Sequence, residues 1–220
     1  MDRSRLEAFS DGVFAVAITL LALNLAVAGP GHGSLLHQLG DKWPAFVAYL
    51  ISFFTIGIIW VNHHALVQNI ARVDRTLLFL NLVLLAVVVA MPFATATMAD
   101  YLTAQGQDAH VAMALYASVF EAMSLAFMMI FEWTLREDGR THRPVPQAAR
   151  WPARRRFYLG QLPYLIAIGV AFVSAPAALA IIGLVAVYYM VERTQAPAAG
   201  PGVPPAAAAP PLQHPGEPES

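Results

Sequence analysis

Residues 157–191 read FYLGQLPYLIAIGVAFVSAPAALAIIGLVAVYYMV, 35 positions without one Asp, Glu, Lys or Arg. A helix crosses the bilayer hydrocarbon in about 20 mostly apolar residues, so this run has room for two crossings joined near Ser174-Ala175-Pro176. Charge-free runs at 12–40, 43–71 and 76–99, of 29, 29 and 24 residues, hold one crossing each. Of the 220 residues, 58% are hydrophobic and 12% charged, about half the charge of ordinary soluble domains. The chain therefore reads as an all-α integral membrane protein. Six transmembrane helices are expected near 8–28, 43–66, 76–99, 109–133, 157–174 and 176–192. Were Pro176 a kink and not a turn, the count would be five.

The connections carry their own punctuation. Gly29-Pro30-Gly31 stops the first helix, Pro44 sits in the first turn of the second, and Asp74 is placed to cap the third. With the amino terminus inside, the inner segments hold Arg3, Arg5, Arg72, Arg75, Arg136, Arg140, Arg143, Arg150, Arg154, Arg155, Arg156 and Arg193. The outer segments hold Lys42 alone. By the positive-inside rule both termini are cytoplasmic, in a multi-pass protein of an inner or plasma membrane. The inner loop at 134–156 reads as solvated and topogenic, or, through Trp151 and Arg154-Arg155-Arg156, as an anchor on anionic headgroups. Residues 1–194 form the expected membrane domain. From 195 to 220 the chain is rich in Pro and Ala and is expected to be a disordered cytoplasmic tail. The first apolar segment lacks a small-x-small cleavage motif and is expected to be retained.

Several function classes drop out. A net charge of -1 gives no footprint for nucleic acid. The chain has no cysteine, which removes disulfides and thiolate catalysis. Neither a His-Glu-x-x-His zinc pattern nor a phosphate or dinucleotide glycine motif occurs. His32, His37, His110 and His142 are scattered over expected loops. An enzyme, a cofactor and a resident metal are all disfavoured.

The first helix opens on Phe9-Ser10-Asp11-Gly12. Ser10 or Asp11 could cap a helix N-terminus, or Asp11 could pair with Arg3 or Arg5 at the membrane edge. Gly12, Ala15, Thr19 and Ala22 make a small-residue stripe suited to close helix contact. Val16, Leu20 and Leu23 share another face, which could meet lipid, a neighbouring helix or, as an aliphatic ring, close a pore by dewetting. No internal duplication is visible, so a pore would require several subunits.

Trp60, Asn62, His63 and His64 lie toward the inner end of the second helix, and Asn81 lies in the third. A structural bond from these side chains to the Ser10-Asp11 corner is the expected role. Adjacent histidines point about 100 degrees apart on a helix, which makes joint metal binding awkward. Glu121 is the one acid well inside an expected span, and intramembrane carboxylates often mark ion or proton paths. It could face a wet crevice, pair with Asn or His, or act in transport. Pro92 is expected to kink the third helix.

The opening Arg5-Leu6-Glu7-Ala8-Phe9-Ser10-Asp11-Gly12-Val13-Phe14-Ala15-Val16-Ala17-Ile18-Thr19-Leu20-Leu21 resembles the prokaryotic members of the lysosomal-type potassium channel family TMEM175. Trp60, Asn62, His63 and His64 resemble that family's second helix. The resemblance implies a homotetramer in the lipid bilayer, six helices per subunit, and a central pore lined by the first helix. It also implies potassium as the permeant ion. That family lacks a backbone-carbonyl filter, and no Thr-Val-Gly-Tyr-Gly segment occurs here. Its aliphatic constriction matches Val16, Leu20 and Leu23, with Thr19 offering a hydroxyl nearby. Its Phe-Ser-Asp corner matches Phe9, Ser10 and Asp11, implied to brace the pore helix against Arg5 and the polar residues of helix two. Two other readings remain: a proton-coupled transporter using Glu121 and His63, and a nonconducting membrane scaffold.

Overall fold

The computed structural model describes residues 2–104, 106–136, 140–143 and 145–194, with only the backbone of 192–194 described. The proposed tail at 195–220 lies outside the described residues. Leu6-Glu7-Ala8 favours helix, and α1 accordingly begins at Arg3, with the Leu6 amide bonded to the Asp2 carbonyl at 3.2 Å, and runs to Leu21. It tightens into a 3-10 turn over Ala22–Leu25. The helix thus starts and stops earlier than 8–28. Ser10 and Asp11 are mid-helix residues, so neither caps an N-terminus.

Gly29 and Gly31 take φ of +90° and +95°, a region that favours glycine, and turn the chain after α1. Gln38 fixes this loop by donating from Nε2 to the carbonyls of Gly29 and Gly33 at 3.0 and 3.2 Å. It belongs to a short helix, α2, over Leu35–Asp41. The sequence reading missed α2, and His37 lies in it and not in a loop. The long helices follow. Helix α3 spans Trp43–Gln68 with Pro44 in its first turn. Helix α4 spans Arg75–Tyr101, with Asp74 accepting from the Leu77 amide at 2.8 Å. Pro92 lies inside α4. Helix α5 spans Gln107–Arg136 and takes in His110 near its start.

The fifth expected span differs from the observed α6, which begins at Gln147 and ends at Ala171. Much of the supposed inner loop is therefore helical. Arg154 explains part of that extension: its guanidinium grips both oxygens of Glu132 on α5 at 2.6 and 2.8 Å. That bond holds the guanidinium still further toward its charged form. The boundary after α6 is a turn. Ser174 accepts from the amides of Ala177 and Ala178, and α7 runs over Ala175–Thr194 with Pro176 in its first turn. Proline is tolerated there because the first amides of a helix have no intrahelical acceptor to lose.

Among the described residues, α1 with its 3-10 extension, α3, α4 and α5 are long and apolar enough to cross a membrane, and Ala175–Val191 of α7 is a shorter apolar helix. The chain is an all-α, multi-pass membrane protein. The only β pairing described is an isolated bridge between Ile70 and Thr141.

Helices α4 and α5 form the centre; α1 packs on α3 and α4, and α6 packs on α5 and α7. Lipid tails are as apolar as leucine, so packing in a bilayer depends on close fit and internal polar bonds. Small buried residues such as Ala17, Ala48, Ala94, Ala117 and Ala167 allow that fit. Ser52 joins the hydroxyls of Thr95 and Tyr116, each at 2.8 Å, tying α3, α4 and α5 together. One end of the bundle gathers the arginines. Arg3 donates to the Gln68 carbonyl, and the 69–74 and 140–143 connections exchange backbone bonds at 2.8 Å. Lys42 sits at the opposite end, at the start of α3.

Candidate pore helix and its polar anchor

Helix α1 has two unlike sides. Leu6, Ser10, Phe14, Ala17 and Leu21, spaced by three or four, are buried against α3 and α4. The other side is uncovered: Val16 is 55% exposed, Leu20 38% and Leu23 71%. Beside them Gly12, Ala15, Thr19 and Ala22 are exposed too. A Cβ added at Gly12 would meet nothing within 4 Å. Only 28% of the apolar stretch of α1 is buried inside the chain, against 50% in α5. A helix of small residues and aliphatic knobs, covered on one side only, is shaped to pack against further helices. The Thr19 hydroxyl donates to the Val16 carbonyl at 2.8 Å, leaving its lone pairs facing outward.

The buried side is anchored by directional bonds. Ser10 Oγ donates to the Leu6 carbonyl at 2.9 Å and accepts from Asn81 Nδ2 at 3.0 Å. Asn81 Oδ1 lies 2.7 Å from His63 Nε2. An amide oxygen can only accept, so His63 donates from Nε2. The Phe14 ring packs 5.5 Å from that imidazole. Helices α1, α4 and α3 are thereby linked in one relay, all three polar side chains being buried.

A second set joins the same two helices, α1 and α3, beside the relay. Trp60 Nε1 donates to Asp11 Oδ1 at 2.8 Å. His64 Nδ1 stands 3.1 Å from Glu7 Oε1, and its Nε2 is 2.8 Å from Gln68 Nε2. Glu7, Asp11 and His64 have ligand atoms within 4.8 Å of one another. Trp60, Glu7 and Gln68 already engage these groups. Trp60→Phe keeps the ring and deletes the donor to Asp11; it is expected to cost about 1 to 2 kcal/mol, read from thermal unfolding in detergent. A midpoint equal to wild type would show that this bond contributes nothing net.

Other expected site residues fall elsewhere. Arg5 is exposed and makes no ion pair with Asp11 among the described residues. Phe9 is 50% exposed on the uncovered flank. Asn62, one helical step from His63, points away from the relay into a cavity of about 480 Å³ among α3, α5, α6 and α7, where Ser124 and Tyr164 also face it. Glu121 is buried in α5, and its Oε2 has no partner among the described residues, as is also true of Gln161 Oε1. Of the alternatives open for Glu121, pairing with Asn or His is not seen among the described residues. Sequence reasoning missed Glu7 as the partner of His64, although its position one helical turn before Asp11 was a usable signal.

Comparison with known proteins follows the same architecture. The profile described as endosomal/lysosomal potassium channel TMEM175 matches residues 5–92, which hold α1, the anchor and most of α4. A protein of Streptomyces collinus named a potassium channel is 48% identical over 198 residues, covering 89% of this chain and 95% of its own. The crystal structure of a lysosomal potassium-selective channel TMEM175 homolog from Chamaesiphon minutus superposes with a TM-score of 0.75 at 32% identity, covering 86% of this chain and 97% of that one. A Bos taurus protein named endosomal/lysosomal proton channel TMEM175 is 31% identical over 168 residues, 72% of this chain and 34% of its own length.

Proposed function

This chain belongs to the TMEM175 family, and on that premise we propose that it is a potassium-selective leak channel and not an enzyme. Four copies, each crossing the membrane six times through α1, α3, α4, α5, α6 and α7, surround a central pore lined by α1. Val16, Leu20 and Leu23 form the aliphatic constriction, and Thr19 supplies a hydroxyl beside it. The single observation that carries this reading is the uncovered side of α1, where those residues and the small stripe stand exposed. In a ring the small stripe lets neighbouring helices close up, and the aliphatic side chains narrow the wetted path. Potassium moves down its electrochemical gradient, with no coupling step and no cofactor. The arginine-rich end faces the cytoplasm of a cell inner or plasma membrane, with both termini inside. Residues 1–194 form the channel domain, and 195–220 lie outside it, without a role in conduction.

The experiment is flux from purified protein in liposomes, with potassium or sodium outside, with and without an imposed pH gradient. Potassium-preferring flux independent of that gradient is the expected result. Glu121, buried with one oxygen unpartnered among the described residues, favours a second reading as a proton-coupled transporter. That reading requires flux to depend on the gradient and to collapse in Glu121→Gln. Absence of flux from folded, assembled protein would leave a scaffold.

A further inference from the structure

A groove of about 750 Å³ runs between α6 and α7, on helices that pack against α5 and each other, away from α1. Trp151, Arg155, Arg156 and Tyr188 form its mouth, at the arginine-rich end. Leu159, Pro163, Ile181 and Leu184 line it toward the membrane interior. Gly160 also lines it: a Cβ there would come 2.6 Å from the Tyr189 hydroxyl, so glycine leaves room for that side-chain tip between α6 and α7. The three consecutive arginines are divided by helix geometry. Arg154 turns to Glu132 on α5. Arg155 and Arg156, rotated by about 100 degrees per residue, are exposed and line the groove.

We propose that this groove binds one anionic phospholipid of the cytoplasmic leaflet, its phosphate between Arg155 and Arg156 and one acyl chain along Leu159, Pro163, Ile181 and Leu184. The argument is charge complementarity at a fixed depth. Trp151 and Tyr188 belong at the headgroup level, where amphipathic rings settle. Guanidinium forks match phosphate oxygens in pairs. An acyl chain fills a lipid-facing trough without needing polar partners. The groove is remote from α1, so lipid retention is measured independently of conduction.

The test uses the full-length assembled protein in detergent, with dioleoyl phosphatidylglycerol, dioleoyl phosphatidylcholine or glycerol phosphate added. Retained lipid is read by native mass spectrometry, and thermal midpoints are read in parallel. Phosphatidylglycerol is expected to be retained in preference to phosphatidylcholine and to raise the midpoint, whereas glycerol phosphate does neither. An arginine at an anionic lipid surface carries roughly a fivefold preference, so Arg155→Gln with Arg156→Gln weakens retention about thirtyfold. Leu184→Trp, which fills the trough and leaves both arginines in place, is also expected to lose the lipid. Equal retention of phosphatidylcholine, wild-type retention in either variant, or an equal effect of glycerol phosphate would overturn the proposal. So would disulfide-linked dimers from Leu184→Cys, because the chain has no other cysteine and the groove would then face a second copy.

Discussion

Replacing Leu20 and Leu23 together by alanine is expected to raise sodium flux in liposomes roughly five- to thirtyfold while potassium flux rises less. Both side chains project from the side of α1 that its own subunit leaves uncovered, Leu23 at 71% exposure. In a four-fold ring each becomes a layer of four isobutyl groups. Such a layer gives an ion no oxygen in exchange for the waters it sheds. Sodium holds its water more tightly and meets the higher barrier. Truncation to alanine widens both layers and lets more of the shell through. Lowering that barrier by about 1 to 2 kcal/mol gives the stated range, since 1.36 kcal/mol is tenfold in rate. Val187→Ala, exposed on α7, truncates an aliphatic side chain outside α1 and is expected to leave both fluxes unchanged. If the Leu20 and Leu23 double variant assembles normally and conducts with unaltered selectivity, α1 does not form the constriction. The cavity beside Asn62 would then be the next candidate to line a path.

The parts of the fold legible in the sequence were those governed by charge alone. A run such as 76–99 has few alternatives to a buried or membrane helix, and α4 covers it with Asp74 at its cap. The start of α6 was not legible for the same reason. Arg150 and Arg154–156 broke the apolar run, and a rule that counts charge reads a helix lying at the membrane edge as a loop. The Glu132 carboxylate that holds Arg154 is 22 positions away, which no local pattern reveals. Polar bonding shows the same limit. Asn81 and His63 stood out because amide and imidazole groups need partners in hydrocarbon. Ser52, Thr95 and Tyr116 did not, because a hydroxyl in a helix can bond its own chain, as Thr95 does to the Met91 carbonyl at 2.7 Å. Asn62 shows that adjacency in sequence is not adjacency in space: one helical step turns it out of the relay that His63 enters.

Asn81→Leu tests what that relay contributes. Among the described residues its amide is the only link between Ser10 on α1 and His63 on α3, bonded at 3.0 and 2.7 Å, and it is buried. Leucine matches its size but removes both functions at once, leaving the His63 Nε2–H without an acceptor. A buried unmet donor costs about 1 to 3 kcal/mol, and interhelical bonds in bilayers average about 0.6 kcal/mol because the alternatives also find partners. The expected loss is about 2 kcal/mol, or roughly 4 to 8 °C in the unfolding midpoint if a chain of this size follows the soluble-protein scaling. The decisive comparison is with His63→Leu and Asn81→Leu combined. Removing both partners leaves no orphan donor, so the double variant is expected to be more stable than Asn81→Leu alone despite carrying one more change. Flux separates the two roles of α1. If the relay sets the rotation of α1, the double variant regains stability yet conducts abnormally, because the apolar pair no longer specifies which side of the helix faces the ring. A double variant that matches wild type in both flux and selectivity would mean that Ala17, Phe14 and Leu21 alone orient the helix through packing.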